Sequence, residues 1–393
     1  MNDSAATGEN TNYYFDNAAT SWPKPERVYG AAEKQMRSMF GNPGRSGHTR
    51  TLEADRLIYK TREAVGRLFN IKDPARIVFT LNATDALNMA LKGFLDEGDH
   101  VLHTAMDHNS VLRPLSRLTK EKNITSTTIP CSAEGYPSLE KLKSALKKKT
   151  RLLVINHASN VTGTIMPLKE MSDLAHAEGA AVLVDAAQTA GTFPIYVERL
   201  GIDMMAFTGH KGLLGPTGTG GLYIRPGLDI KPLREGGTGS QSELDTHPEE
   251  MPERLEAGTL NSAGLAGLLE GITYIMDTGL ENIRKHEQGL HRYMFNRLTE
   301  IPKIKLYGPP ADHHCACIIS ITTGQADSGE IGYILENNYS ILCRTGLHCA
   351  PLAHQAIGSF PAGTIRFSPG PFSTTRDIDY LVNALQDVCA MIR

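Results

Sequence analysis

The sequence predicts an α/β protein, with a large and mostly parallel sheet flanked by helices and followed by a smaller α+β part. Three observations carry this expectation. Short apolar strands alternate with helix-period segments up to about residue 260, the pattern of crossover-connected parallel sheets. Thr84, Asn160, Asp185 and the turn after Thr208 all fall at the carboxyl ends of those strands, where ligands collect in such sheets. Beyond residue 260 the pattern changes to one long helical stretch and then to shorter strands.

In chain order, residues 26–40 and 53–70 form amphipathic helices. Arg76-Ile77-Val78-Phe79-Thr80 is a strand, and in the following segment Ala83–Phe94 the residues Leu87, Leu91 and Phe94 recur at helical spacing. Further strands are His100–Thr104, 151–156, Ala181–Asp185, Met204–Thr208 and 221–224. Residues 232–252, rich in Gly, Ser, Glu and Pro, read as a long exposed loop. Helix then covers 263–299, and the later strands are 318–321, 339–342 and Thr364–Phe367. The expected organisation is a segment 1–25 packing on the C-terminal part, a large part 26–260, and a C-terminal part 261–393.

At 393 residues the chain is long enough for two domains and an extensive core. A formal net charge of −3 gives no electrostatic basis for nucleic acid or an anionic membrane as the main partner. No apolar run reaches the length of a membrane span, and residues 1–12 are polar and lack the apolar core of a secretory signal. The six cysteines, at positions 131, 315, 317, 343, 349 and 389, are too few and too scattered for a disulfide framework. A reducing cytoplasm is the expected location.

The strand Ala181–Asp185 ends in Asp185-Ala186-Ala187-Gln188, and some two dozen residues later stands Thr208-Gly209-His210-Lys211. Alone, such an Asp reads as a helix cap and such a Lys as a solvated surface group. In this order they point to pyridoxal phosphate. That cofactor needs an anionic oxygen to keep its pyridine nitrogen protonated, and a lysine able to shed its proton and form a Schiff base. Burial and a neighbouring cation both favour the free amine. Asn82-Ala83-Thr84-Asp85 opens a helix after a strand and offers backbone N–H groups and the Thr84 hydroxyl to an anion. Gly215-Pro216-Thr217-Gly218-Thr219-Gly220-Gly221 lacks the Gly-Lys-Ser/Thr ending of a nucleotide loop and runs into a strand, so it reads as a tight turn beside the lysine.

A second chemical centre is Cys343-Arg344-Thr345-Gly346-Leu347-His348-Cys349-Ala350-Pro351. A thiol flanked by an Arg, a His and a glycine-permitted backbone sits in surroundings that favour the thiolate. Cys349 therefore reads as a reactive nucleophile, and Cys343, at a strand end, as core. His313-His314-Cys315-Ala316-Cys317 has metal-binding residue types but no further ligands at a fitting spacing. It reads as a strand-entry loop, and no metal is expected.

These motifs resemble the pyridoxal phosphate-dependent class V aminotransferase-fold family, and within it the cysteine desulfurases and selenocysteine lyases. The similarity runs from Tyr14-Phe15-Asp16-Asn17-Ala18-Ala19-Thr20 to Arg366. It is most specific around Asp185, Lys211 and Arg344-Thr345-Gly346-Leu347-His348-Cys349-Ala350. The short segment carrying Cys349 is similar to the type II, SufS-like branch. The resemblance implies transferase fold type I, with a mixed, mostly parallel seven-stranded sheet and a smaller α+β C-terminal domain. It also implies homodimers with shared active sites.

Residue by residue, the resemblance implies that Lys211 binds the cofactor aldehyde and later moves the substrate Cα proton. Asp185 would pair with the ring nitrogen and Gln188 with the phenolic oxygen, while His108 stacks on the ring and assists proton transfer. Thr84, Thr208 and His210 would hold the phosphate, joined by Thr259 reaching across to the other subunit's site. Asn160 would lie at the cofactor and, with Arg366, hold the substrate carboxylate, a task that suits a guanidinium fork. Arg344 and His48 would line the entrance.

The implied reaction takes sulfur from L-cysteine, leaving L-alanine and a persulfide on Cys349 for an acceptor protein. L-selenocysteine fits the same route. The chain departs from the family pattern at Arg366-Phe367-Ser368-Pro369-Gly370-Pro371-Phe372, where two prolines are expected to reshape the wall beside the carboxylate. Position 82 and the Ser46-Gly47 pair also differ. Two other classes stay open. A class V aminotransferase or a β-lyase would need Lys211 but not Cys349. A sulfur-carrying protein without turnover is disfavoured by the retention of Lys211, Asp185 and His108 together.

Overall fold

The computed structural model describes residues 12–391 apart from 39–40, 42–47, 240, 242 and 325. The end of the helix expected to reach residue 40 and the Ser46-Gly47 pair lie outside the described residues. The first elements are β1 (Tyr13–Tyr14), α1 (Glu26–Ser38), α2 (Thr49–Phe69), β2 (Ile77–Thr80) and α3 (Ala83–Phe94). Next come β3 (His100–Thr104), α4 (Asn109–Glu121), β4 (Thr125–Ile129), α5 (Leu139–Ala145), β5 (Thr150–Asn156) and α6 (Leu168–Ala177). Strands β6 (Ala181–Asp185), β7 (Met204–Thr208) and β8 (Gly220–Ile224) complete the first sheet. The remainder is α7 (Ser262–Thr278), α8 (Leu280–Thr299), β9 (Ile304–Tyr307), β10 (Ile319–Thr323), α9 (Ser328–Tyr339), β11 (Ile341–Leu342), β12 (Arg344–Gly346), α10 (Pro351–Ile357), β13 (Thr364–Phe367) and α11 (Thr375–Met391).

Seven strands form one sheet in the order β2-β8-β7-β6-β5-β3-β4. From β7 to β4 all pairings are parallel, and β8 alone runs against its neighbours. The central strands β6 and β7 read Ala-Val-Leu-Val-Asp and Met-Met-Ala-Phe-Thr, almost wholly buried, because helices cover both faces of a parallel sheet. Register sets Asn156 against Asp185, and Asp185 against Ala206, so the polar residues ending β5, β6 and β7 share one sheet edge. A four-stranded antiparallel sheet, β12-β13-β10-β9, and the parallel pair β1-β11 lie in the C-terminal part.

Helix α7 packs on α1 and α2, and its Leu265, Leu268 and Ile272 belong to the core of the large sheet. The second core, built from Leu290, Met294, Ile319, Ile365 and Phe367, takes in Phe15 from the N-terminal segment. Phe15 packs edge-on against Phe367 with ring centroids 6.2 Å apart. The N-terminal segment is thus held by apolar burial and by the β1-β11 pairing.

Two sequence expectations change. The single helix expected over 263–299 is two helices, because Gly279 adopts φ +85°, a backbone region that only glycine enters at little cost. The strand expected over 339–342 shrinks to Ile341–Leu342. Tyr339 closes α9, whose left-handed cap is Ser340 at φ +53°. Cys343, expected as core, is half-buried against the C-terminal core.

Candidate active site

A cavity of about 230 Å³ opens where β5, β6 and β7 end. Thr84, His108, Asn160, Asp185, Gln188, Thr208, His210 and Lys211 all line it, joined by Asn82, Ser110 and Asn156. Asp185 sits at the last position of β6, and its Oδ1 accepts a hydrogen bond from Ala187 N at 2.9 Å. Burial raises its carboxyl above the ordinary range, opposed by the Ala187 hydrogen bond and the Lys211 cation. A buried carboxylate of this kind calls for a cation against its remaining oxygen.

The phosphate end is legible in polar atoms without partners. Thr208 Oγ1 and His210 Nδ1 are buried and have no hydrogen-bond partner among the described residues. Helix α3 presents its N-terminus to the same cavity under its cap Asn82, whose Oδ1 accepts from Asp85 N at 3.0 Å. Gly220 lets β8 pass close by, since a Cβ there would meet Asn82 Cα at 2.7 Å. Two orphaned side-chain groups facing a helix N-terminus suit a phosphate. Together with the Asp185 carboxylate, the donor set fits pyridoxal phosphate.

His108 caps α4. Its Nδ1 accepts from Ser110 N at 3.1 Å and lies 2.9 Å from Ser110 Oγ. Ser110 Oγ in turn meets Thr84 Oγ1 at 2.7 Å, joining a ring-stacking candidate to a phosphate candidate. Burial, then the Lys211, Arg344, Arg113 and Arg366 cations, pull the His108 ring down to about 4. It is therefore neutral near pH 7, with its proton on Nε2. Asp107 holds this turn from beneath, accepting from Thr104 N at 2.6 Å and Thr104 Oγ1 at 3.0 Å. Burial pushes Asp107 up to about 7.

Lys211 follows β7 on a turn closed by Leu214 N donating to Lys211 O at 2.8 Å. Burial lowers its amine to about 8, assisted by the Arg366 and Arg344 cations and opposed by Asp185 and Asp16. Only the free amine attacks an aldehyde, so cofactor-free protein should capture added pyridoxal phosphate faster as pH rises through about 8. Arg366→Gln removes a cation and should move that midpoint up, whereas Asp185→Asn removes an anion and should move it down. Absorbance-followed capture against pH checks both signs. Midpoints that stay put would remove these charges from control of the amine.

Lys211 and Gln188 also border a second cavity, of about 50 Å³, walled by Pro369, Gly370, Pro371 and Glu287. The two prolines therefore shape this rear space and do not line the Asp185 cavity. Glu287, pushed up to about 8 by burial, has no hydrogen-bonded or ionic partner among the described residues.

Cys349 stands on a turn in which His348 and Cys349 both take positive φ, +47° and +57°, a strained choice for residues with a Cβ. The turn is over-determined from the large sheet's side. Asn109 N donates to Cys349 O at 2.7 Å, and Asn160 Nδ2 donates to His348 O at 2.7 Å. Arg344 Nη2 reaches the exposed Cys349 Sγ at 3.6 Å.

Arg366 is fully buried on β13. Its Nη1 donates to Asn160 O at 3.0 Å and its Nη2 to Asp16 Oδ1 at 2.6 Å, while Nε has no partner among the described residues. An unpaired donor on a paired guanidinium suits a carboxylate.

Two expected site residues are not brought in. His48 is exposed at the N-cap of α2, within 3.4 Å of Thr51 Oγ1, and Thr259 is exposed on the loop before α7. Neither lines the cavity. Cys349, Arg344 and Arg366 do not line it either, but Arg366 and the His348-Cys349 turn are bonded to its wall residue Asn160, and Arg344 reaches Cys349. Sequence reasoning missed Ser110, Asn156, Asp107 and Asp16. Ser110 carried a faint signal as the residue two places into a helix start. Asp16 sits in the Asp16-Asn17-Ala18 stretch but bonds to a residue 350 positions away. Among the described residues no group of three or more His, Cys, Asp or Glu is arranged to hold a metal. No described helix is long and apolar enough to cross a membrane.

The aminotransferase class-V family model matches residues 13–381. A cysteine desulfurase of Escherichia coli (strain K12 / DH10B) is 35% identical over 386 residues, covering 95% of this chain and 93% of the relative. Among solved structures, the apo cysteine desulfurase of Thermococcus onnurineus NA1 superposes with a TM-score of 0.91 at 32% identity, over 97% of this chain and 95% of that one. The Escherichia coli cysteine desulfurase CsdA, in an S-sulfonic acid form, gives a TM-score of 0.87 at 29% identity over the same shares. The architecture is fold type I of the pyridoxal phosphate enzymes, the cofactor class general to this family. Matched from its first strand into its last helix, the chain belongs to the class-V aminotransferase family, among the cysteine desulfurases.

Proposed function

We propose that this enzyme removes sulfur from L-cysteine, giving L-alanine and a persulfide on Cys349, with Lys211 as its reactive amine. The observation that carries the reading is the Asn109 N to Cys349 O hydrogen bond of 2.7 Å. It fastens the thiol-bearing turn to the residue that follows His108 on the cavity wall. A transaminase has no need of a thiol held there.

Pyridoxal phosphate, when bound, supplies an aldehyde for the substrate amine and a protonated ring that accepts the Cα electron pair. Thr84, Thr208, His210 and the α3 N-terminus would hold its phosphate, Asp185 would pair with its ring nitrogen, and Gln188 would serve its phenolic oxygen. Neutral His108 offers an uncharged ring for stacking and an Nε2 proton. Arg366 grips the substrate carboxylate from its free Nε edge, with Asn160 beside it. Lys211, as the free amine, takes the proton from the substrate Cα and later returns a proton to product carbon. The Cys349 sulfur attacks the substrate sulfur. An S–S bond forms as the substrate C–S bond breaks, and the carbon keeps the electron pair and gains a proton. A thiol of an acceptor protein then removes the outer sulfur, and Arg344 lines that approach.

Arg366→Ala should raise KM for L-cysteine by about 10- to 100-fold, the value of ~1.5–3 kcal/mol for a charged hydrogen bond. Steady-state kinetics with L-cysteine against its methyl ester checks this. Equal losses with both substrates would remove Arg366 from carboxylate binding. Alanine and sulfide released one for one with dithiothreitol test the activity itself, and a keto acid in their place would indicate transamination.

The homodimer belongs to the same reading. Leu52 and Tyr59, two turns apart on α2, are each about half exposed. Tyr59 shares a cleft with Pro252, Gly258 and Leu260, next to Thr259. The loop bearing them is anchored by the buried Arg62–Glu256 pair at 2.8 Å. Covering this surface with a second copy would bring Thr259 to the other subunit's phosphate and His48 to its entrance. The functional division is then residues 26–260 for the cofactor and 261–393 for the nucleophile, with 1–25 joining them. A cytoplasmic location fits a persulfide that must pass to a reduced thiol.

A further inference from the structure

Immediately before Lys211 lies the carbonyl of His210, and one stretch of the N-terminal segment converges on it. Ser21 N donates to it at 2.9 Å, Thr20 Oγ1 at 3.1 Å, Ser21 Oγ at 3.2 Å and Lys24 Nζ at 3.3 Å. A carbonyl oxygen has two lone pairs, so four donors hold it more firmly than backbone pairing requires. Lys24 is the cation among them. Its ammonium also donates to Ser21 O at 3.1 Å and Ser21 Oγ at 2.8 Å, and among the described residues no carboxylate pairs with it. A half-buried lysine committed to two carbonyls and a hydroxyl is not a solvated surface group.

The pinned carbonyl belongs to the peptide that supplies the Lys211 backbone nitrogen. On the other flank Leu214 N holds Lys211 O. The root of the Lys211 side chain is therefore fixed from both sides. The same segment reaches the other groups of the site. Gln188 Nε2 donates to Ala18 O at 3.0 Å, and Asp16 accepts from Arg366 at 2.6 Å. An amine that must serve first the cofactor aldehyde and then the substrate Cα depends on where its root stands.

We infer that Lys24 is a positioning residue for Lys211, acting through the His210 carbonyl together with Thr20 and Ser21. This rests on Lys211 being the reactive amine. Lys24→Met removes the cationic donor with little change in side-chain length, and Lys24→Arg keeps a cationic donor. Three readouts apply to both: the rate at which cofactor-free protein captures pyridoxal phosphate (trapped with borohydride), kcat and KM for L-cysteine, and Tm. Lys24→Met is expected to slow both capture and kcat by about 10- to 100-fold, the effect of a misplacement near one ångström, with KM unchanged. Lys24→Arg is expected to recover most of the loss. A Lys24→Met protein with wild-type capture and kcat, whatever its Tm, overturns the inference. Should Lys24→Met fail to fold, Ser21→Ala removes one donor from the same carbonyl and, with it, the hydroxyl that accepts from the Lys24 ammonium at 2.8 Å. Slowed capture there supports the inference, and wild-type capture overturns it. Borohydride trapping of the wild type at a residue other than Lys211 would sink the functional reading. Trapping at Lys211 with an unaffected Lys24→Met sinks this inference alone.

Discussion

Replacing Lys211 by alanine should abolish alanine production from L-cysteine, lowering turnover by at least about 10⁴-fold, the upper range for a positioned acid–base group. Two functions vanish together: the amine that reacts with the cofactor aldehyde and the base that takes the Cα proton. Burial has already set this amine near 8, where it is part free at neutral pH, whereas an ordinary lysine is almost wholly protonated. The phosphate cradle of Thr208, His210 and the α3 N-terminus does not depend on the Lys211 side chain. Lys211→Ala should therefore still bind pyridoxal phosphate, as a free aldehyde that dialysis removes. Absorbance before and after dialysis, with alanine measured in parallel, checks both parts. A variant keeping about a tenth or more of wild-type turnover would be inconsistent with that acid–base role, whose loss costs at least about 10²-fold.

Cys349→Ala should lose alanine and sulfide production by about 10³-fold or more, since the group that accepts the sulfur is gone. Cofactor capture should be untouched. The turn is held through backbone atoms, by Asn109 N on Cys349 O and Asn160 Nδ2 on His348 O, and both bonds survive loss of the thiol. Alanine at φ +57° carries the same Cβ strain that cysteine carries there. The two variants therefore fail differently, Lys211→Ala in capture and turnover, Cys349→Ala in turnover alone. Sulfide and keto acid formed together by Cys349→Ala at the wild-type rate would point to elimination in place of sulfur transfer.

Much of this site was readable from residues because its main parts obey local rules. Asp185 and Thr208 end strands whose apolar runs are unmistakable, and Lys211 follows on a short turn. Thr84 opens a helix announced by the periodicity of Leu87, Leu91 and Phe94. Six strands of the large sheet were legible for the same reason, with ends displaced by one residue at β2, β5 and β8, whereas the edge strand β4, Thr-Ser-Thr-Thr-Ile and mostly exposed, has no apolar run to announce it. What stayed hidden depends on distance in the chain. Asp16 meets Arg366, and Lys24 meets the His210 carbonyl, through a segment that joins both cores. No spacing rule connects such partners. Ser110 was hidden differently, since a serine two residues after a histidine looks like capping. Its hydroxyl ties Thr84 to His108 only once α3 and α4 are side by side. The break at Gly279 was missed because an uninterrupted helical period spans it, and only its φ reveals the turn.

The most direct test of persulfide chemistry at Cys349 is a mass spectrum of the cofactor-loaded wild type after L-cysteine, taken without reductant and followed by peptide mapping. One added sulfur atom is predicted on the peptide carrying Cys349, removed by dithiothreitol and matched by one equivalent of alanine. Alanine accumulating with no added mass on that peptide, or with the sulfur on Cys343 or another cysteine, would contradict it.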